Sequence, residues 1–191
     1  MTSLEGIELD MAVSCLSRFV MVREMAERLG KNRSAGKSKP RVFIIGLPGS
    51  NQKGNPDDFN SEGSYSLLTA HSNTVIGNEA LVLDGAVRYP KVNFYRLSPG
   101  IIKSGITTGT LGDGSFLFKL QQMLVGALFQ SADEYAERIL PLLVSPDIED
   151  YSGAMFGRHG DPIHASSSRL QKPYLQRVIE ESEKLAKKAL V

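Results

Sequence analysis

The run Val42-Phe43-Ile44-Ile45 constrains the fold more than any other part of this chain. It is short, rich in β-branched residues and free of apolar–polar alternation, the pattern of a strand buried on both faces of a parallel sheet. A second run, Val92 to Leu97, follows Pro90 and predicts a second strand. Apolar residues recur at helical spacing around both runs. One helix is predicted from Gly6 to Gly30 on Leu9, Val13, Leu16 and Val20, with Gly30 as its stop. Another runs from about Tyr65 to Arg88, with Leu68, Val75, Ala80, Leu83 and Val87 among its apolar positions. The run Phe116–Phe129 places Leu117, Leu120, Leu124 and Leu128 on one helical face. Ser131 and Glu134 have capping-box spacing and open a helix to about Leu143. Residues 144–172 read as irregular, with a short strand at Ala154-Met155-Phe156, before a last helix from Pro173 to Leu190. Helix alternating with buried strand predicts an α/β layer fold with parallel strands, as a single domain over residues 1–191.

Composition narrows the function classes. With 22 Lys and Arg against 21 Asp and Glu, the net charge of +1 gives no general attraction to nucleic acid or an anionic membrane. No apolar run approaches the roughly 18 residues of a membrane helix. The lone Cys15 makes neither an internal disulfide nor a zinc site, which favours a reducing compartment. Met1 to Glu8 carries two acids and no basic residue, unlike a targeting peptide. Together these predict a cytoplasmic protein.

Several local patterns fail on spacing or context. Ala35-Gly36-Lys37-Ser38 looks like the end of a phosphate loop, yet it precedes a strand instead of following one. Gly109, Gly112 and Gly114 lack both the fingerprint spacing and a preceding strand. His159, Asp161 and His164 are the densest set of potential metal ligands, with no HExxH or Cys pair beside them. Asp57 and Asp58 sit in the long Gly46–Gly63 loop and read as turn residues.

One ordered set of features does carry a resemblance. The strand Val92-Asn93-Phe94-Tyr95-Arg96-Leu97 runs into Ser98-Pro99-Gly100-Ile101-Ile102-Lys103-Ser104. A strand ending in Pro-Gly, with a hydroxyl residue four positions past the Gly, resembles the late cofactor segment of short-chain dehydrogenase/reductases. Gly6-Ile7-Glu8 and the helix after it, the strand Arg41–Ile45 and the helix Tyr65–Arg88 fall in the order that family shows from the helix after its fourth strand onward. Tyr65-Ser66-Leu67 before the helix, Pro90-Lys91-Val92-Asn93-Phe94, and Ser152-Gly153-Ala154-Met155-Phe156 are similar to a divergent group from filamentous fungi. The resemblance implies an α/β, incomplete Rossmann-like three-layer fold, with a partial parallel sheet flanked by helices. It also implies an oxidoreductase using NADP or NAD on a small-molecule substrate, in fungal secondary metabolism. Pro99, Gly100, Ile102 and Ser104 are the residues it assigns to cofactor contact.

The chain departs from that family where the chemistry lies. The family needs a Tyr acid, a Lys four residues later on one helix face, and a Ser on the preceding loop. Counting back from the Pro-Gly turn puts Thr69 and Asn73 at the Tyr and Lys positions; a shifted alignment gives Thr74 and Asn78. The loop Ser falls near Leu47, with Ser50 as a substitute, and the supporting Asn corresponds to Ser14. No catalytic residue is assigned, and Tyr65, Ser50 and His71 are the nearby groups worth testing. The family's glycine fingerprint belongs to a first βαβ half that has no counterpart here. The strand Arg41–Ile45 is therefore expected to expose an apolar edge, covered by a second copy or a partner chain. The alternative to an enzyme is a non-catalytic, truncated relic or pseudo-enzyme acting through protein association.

Overall fold

A computed structural model of the chain describes residues 1–47, 54–100, 102, 131–164 and 172–190. The first helix is built in three pieces: α1 (Leu9–Met11), a π-helical segment over Ala12–Leu16, and α2 (Ser17–Met25). Strand β1 spans Arg41–Ile45, α3 Leu67–Arg88 and β2 Asn93–Leu97. Helix α4 (Ala132–Val144), the short strands β3 (Met155–Phe156) and β4 (Pro162–Ile163), and α5 (Lys172–Ala189) complete the described elements. The predicted helix Phe116–Phe129 and Gly109, Gly112 and Gly114 lie outside the described residues.

The sheet has the order β1-β2-β3-β4, with β1, β2 and β3 parallel and β4 antiparallel to β3. Its register sets Arg41 opposite Asn93 and Ile45 opposite Leu97. Successive strand residues face opposite sides, so the two runs read from sequence split between two cores. Val42, Ile44, Val92 and Phe94 pack with α1, α2, α3 and α5. Phe43, Tyr95, Leu97 and Phe156 pack with Tyr135 and Ile139 of α4, where the Phe43 and Tyr95 rings stack with centroids 5.1 Å apart. Helix, sheet and helix form the three expected layers.

The ends match the local chemistry. The capping box at Ser131 is complete: its hydroxyl accepts from the Glu134 N–H, and the Glu134 carboxylate accepts from the Ser131 N–H. Two features went unread in the sequence. The π-helical turn at Ala12–Leu16 has no compositional mark, and β4 follows from the Gly157-to-Asp161 hydrogen-bonded turn. None of the described helices is long and apolar enough to cross a membrane.

Helix α5 lies along α3 and α2, burying Val178, Ile179 and Ala186. Ion pairs fasten the three helices together: Arg23 to Asp84 at 2.8 Å and to Glu183 at 3.4 Å, and Arg88 to both acids. At the amino ends of the strands, Glu149 accepts from the Lys39 N–H at 2.6 Å and from Arg41 at 3.0 Å. The Lys39 N–H, with help from the Arg41 guanidinium, holds the Glu149 carboxyl below its ordinary range.

Helix α3 approaches β2 so closely that a Cβ at Gly85 would sit 2.7 Å from Phe94 Cδ1. Gly85→Ala should therefore destabilise by about 1–3 kcal/mol from overpacking, although alanine is the better helix former. A lowered urea midpoint checks this. The depressed Glu149 pKa stabilises the fold above the unfolded carboxyl value of ~4.3 and is lost as pH falls through the folded value. Glu149→Gln should flatten the acid limb of a stability-versus-pH curve below ~4.3 and lower stability at neutral pH.

Candidate functional site at the carboxyl edge of the sheet

Because β1, β2 and β3 run parallel, their carboxyl ends meet along one edge, where open α/β sheets bind ligands. Gly46, the turn Ser98-Pro99-Gly100, and Gly157-Arg158 leave the strands there. Gly100 has φ +64, and a Cβ on it would stand 3.2 Å from Cβ and Cδ of Arg158, so the turn requires glycine twice over. Its N–H donates to Ser98 Oγ at 3.3 Å, while the Ser98 N–H is anchored to the Phe156 carbonyl at 2.9 Å. Pro99 and Gly100 are half-buried, and Ile102 packs against the core under α4. Ser104, the fourth residue assigned to cofactor contact, and Ser50 lie outside the described residues.

On the helical side the structure brings together Ser14, Thr74 and Asn78, the set given by the shifted alignment. Asn78 Nδ2 donates to the Ser14 carbonyl at 2.6 Å and to the Thr74 carbonyl at 2.8 Å. The Ser14 carbonyl also accepts from Arg18 at 2.9 Å. Ser14 Oγ donates to Asp10 at 2.5 Å, and the other oxygen of Asp10 lies 3.1 Å from His71 Nδ1 and 3.5 Å from Thr74 Oγ1. Thr74 Oγ1 also donates to the His71 carbonyl at 2.8 Å. Thr69 and Asn73, the unshifted pair, do not meet Ser14. Asn73 is fully buried and holds the loop before α3: it donates to the carbonyls of Asp58 and Phe59 at 3.1 and 3.0 Å and accepts from the Asn55 N–H at 2.7 Å. Tyr65 is exposed ahead of α3.

Sequence reasoning missed Arg96. It is 1% exposed, on the helical face of β2, and its Nη1 donates to the Val75 carbonyl at 2.8 Å. A Cβ on Gly46 would lie 3.0 Å from its Nη2, so Gly46 is the gap that admits the guanidinium. Burial pulls its pKa down to about 10, opposed by the field of Glu79. A charged residue inside a strand otherwise made of Asn93, Phe94, Tyr95 and Leu97 was the available signal. Cys15 is fully buried nearby, and burial pushes its thiol up to about 12, far from a reactive thiolate.

The turn residues behave as turn residues. Asp58 accepts from the N–H groups of Glu62, Gly63 and Ser64, which hold its carboxyl below the ordinary range, and Asp57 pairs with Arg177. The two nitrogens of His159 face Arg138 and Arg158. Along the outer edge of β1 lies an apolar groove of about 490 Å³, lined by Arg18, Met21, Met25, Leu29 and Ile45 among others. Ile45 is 50% exposed, as expected for an edge strand.

No family model matches the chain. It is similar to the Saccharomyces cerevisiae protein named "Uncharacterized oxidoreductase YKL107W", 43% identical over 187 residues, which cover 97% of this chain and 60% of that protein. It is also similar to "Oxidoreductase lepF" of Aspergillus flavus, 31% identical over 116 residues, 56% of this chain and 32% of that protein. The chain thus spans about three-fifths of the yeast relative and a third of the Aspergillus one.

Asn73→Ala should leave buried backbone groups of the 55–59 loop unpaired and cost about 1–3 kcal/mol. Limited proteolysis should then cut faster between residues 54 and 66, while the sheet stays folded by circular dichroism.

Proposed function

We propose that this chain supplies the carboxyl-edge half of a pocket in an oxidoreductase of the short-chain dehydrogenase/reductase type, using NADP or NAD on a small-molecule substrate. The observation that carries this is the 43% identity, across nearly the whole chain, to a protein named as an oxidoreductase. The parallel order of β1, β2 and β3, with the Pro99-Gly100 turn at their carboxyl ends, supports it. A role in fungal secondary metabolism belongs to the same reading.

The side chains do not fit that family's usual proton chemistry. At the Tyr and Lys positions of the shifted alignment stand Thr74 and Asn78, both hydrogen-bonded to backbone carbonyls and neither able to ionise near neutrality; the gap-free count gives Thr69 and Asn73, no better as an acid and a cation. No proton-transfer step is assigned to them. Asp10 and His71 are a titratable pair beside Thr74, and little hydride transfer is expected from this chain alone.

The groove beside β1 supports a second reading, association instead of catalysis, with a second copy of the chain pairing edge to edge. Sedimentation should then report a concentration-dependent dimer that Ile45→Lys abolishes; a monomer at all concentrations discards this reading.

Thermal unfolding with and without NADPH tests the main proposal. At 100 times its dissociation constant, NADPH should stabilise the fold by about 2.7 kcal/mol. An unchanged transition at millimolar NADPH would count against a cofactor pocket in this chain.

A further inference from the structure

Strand β1 ends the sheet, and among the described residues no strand pairs with its outer edge. The Asn93 N–H donates to the Pro40 carbonyl at 2.8 Å, and the Gly46 N–H to the Leu97 carbonyl at 2.9 Å. The backbone groups of a strand turn to alternate sides. Pro40, Val42, Ile44 and Gly46 therefore serve β2, while Arg41, Phe43 and Ile45 turn their N–H and C=O groups outward. An edge of this kind is a template for one more strand. Beside it lies the groove of about 490 Å³, lined on the α2 side by Met21, Val22 and Met25. Alternate side chains of an added strand point into that groove, and methionines adapt to varied shapes. The surface is thus part main chain and part apolar side chain, which suits an extended polypeptide better than a small apolar solute.

The rim of the groove is cationic. The chain leaves it at Leu29 and returns at Arg41, and between Glu27 and Asp57 the sequence has no acid. Arg28, Lys31, Arg33 and Lys37 are exposed in that stretch. Arg18 lines the other end, within the field of Arg96, which is level with Ile44. Glu149, packed against the basic stretch, already accepts from the Lys39 N–H and from Arg41. These cations are solvated; what they supply is a positive field over the groove, which attracts acidic segments and repels basic ones. A second copy would pair antiparallel about a two-fold axis, setting the basic stretch of each against Arg18 of the other. We propose that the outer edge of β1 takes an extended segment of a different polypeptide as an added strand, apolar at alternate residues and flanked by acids. The proposal shares its surface with the association reading and changes the occupant.

Fluorescence anisotropy on the whole chain tests it, with a labelled synthetic peptide of alternating Ile and Thr that carries Glu at both ends. The peptide should bind saturably, and more weakly as sodium chloride rises. Replacing its Glu by Lys should weaken binding through the field, and a central Pro should weaken it by removing a main-chain donor. On binding, hydrogen exchange should slow at the Phe43 and Ile45 amides and stay unchanged at Val42 and Ile44, which already serve β2. Ile45→Pro removes one outward donor at an edge position that tolerates proline. It should weaken binding about fivefold, roughly the worth of one main-chain hydrogen bond. Arg33→Glu combined with Lys37→Glu, both in the exposed stretch, should weaken binding and flatten its salt dependence. Circular dichroism checks the fold of each variant. No saturable binding, equal binding of the Lys-ended peptide, or unchanged exchange at Phe43 and Ile45 overturns the proposal. So does a sedimenting dimer that the peptide fails to dissociate, which gives the edge to a second copy. Peptide binding with no NADPH response in thermal unfolding retains this proposal and removes the cofactor reading alone.

Discussion

Strand β2 is buried along its whole length, and the rest of the protein is arranged around satisfying it. Its edges are taken by β1 and β3, and its two faces by separate helical layers. The demanding member is Arg96, a charge placed where only apolar side chains are inexpensive to bury. The Val75 carbonyl and the field of Glu79 meet part of that demand from α3, and Gly46 meets the steric part from β1. This single side chain thereby ties β2 to α3 at Val75, next to Thr74 and one turn before Asn78.

Much of this order was legible in the residues. The unalternated run at Val42–Ile45 announced a strand covered on both faces because period-two alternation is absent only when neither side meets water. Ser131 and Glu134 announced a helix start because their two hydrogen bonds are local. Partnerships across the chain were less legible. Neither the contact between Asn78 and Ser14 nor that between Arg138 and His159 leaves a spacing rule, since each depends on how two elements pack. The gap-free count from the Pro-Gly turn selected Thr69 and Asn73, but Asn73 is spent on holding a loop; Asn78, five residues further on, is the one that meets Ser14.

Helix α5 changes the meaning of the outer helical surface. The chain's own last helix packs on α3 and α2 and covers them with Val178, Ile179 and the Arg23, Arg88, Asp84 and Glu183 ion pairs. Among the described residues an apolar surface stays open along β1, where a partner meets both the strand edge and Met21 and Met25 of α2.

The π-helical turn at Ala12–Leu16 acts as a phase shift within one helix. A turn with i to i+5 bonding carries one more residue than an α-helical turn, so the residues before and after it point in directions that a regular helix would not combine. Asp10 is thereby turned toward His71 and Thr74 while Met21 and Met25 still line the groove beside β1. Removing one residue from this turn would swing everything ahead of it by about 100°. The polar contacts between the first helix and α3 are thus a matter of counting as much as of chemistry: the same side chains, one position out of phase, would face water.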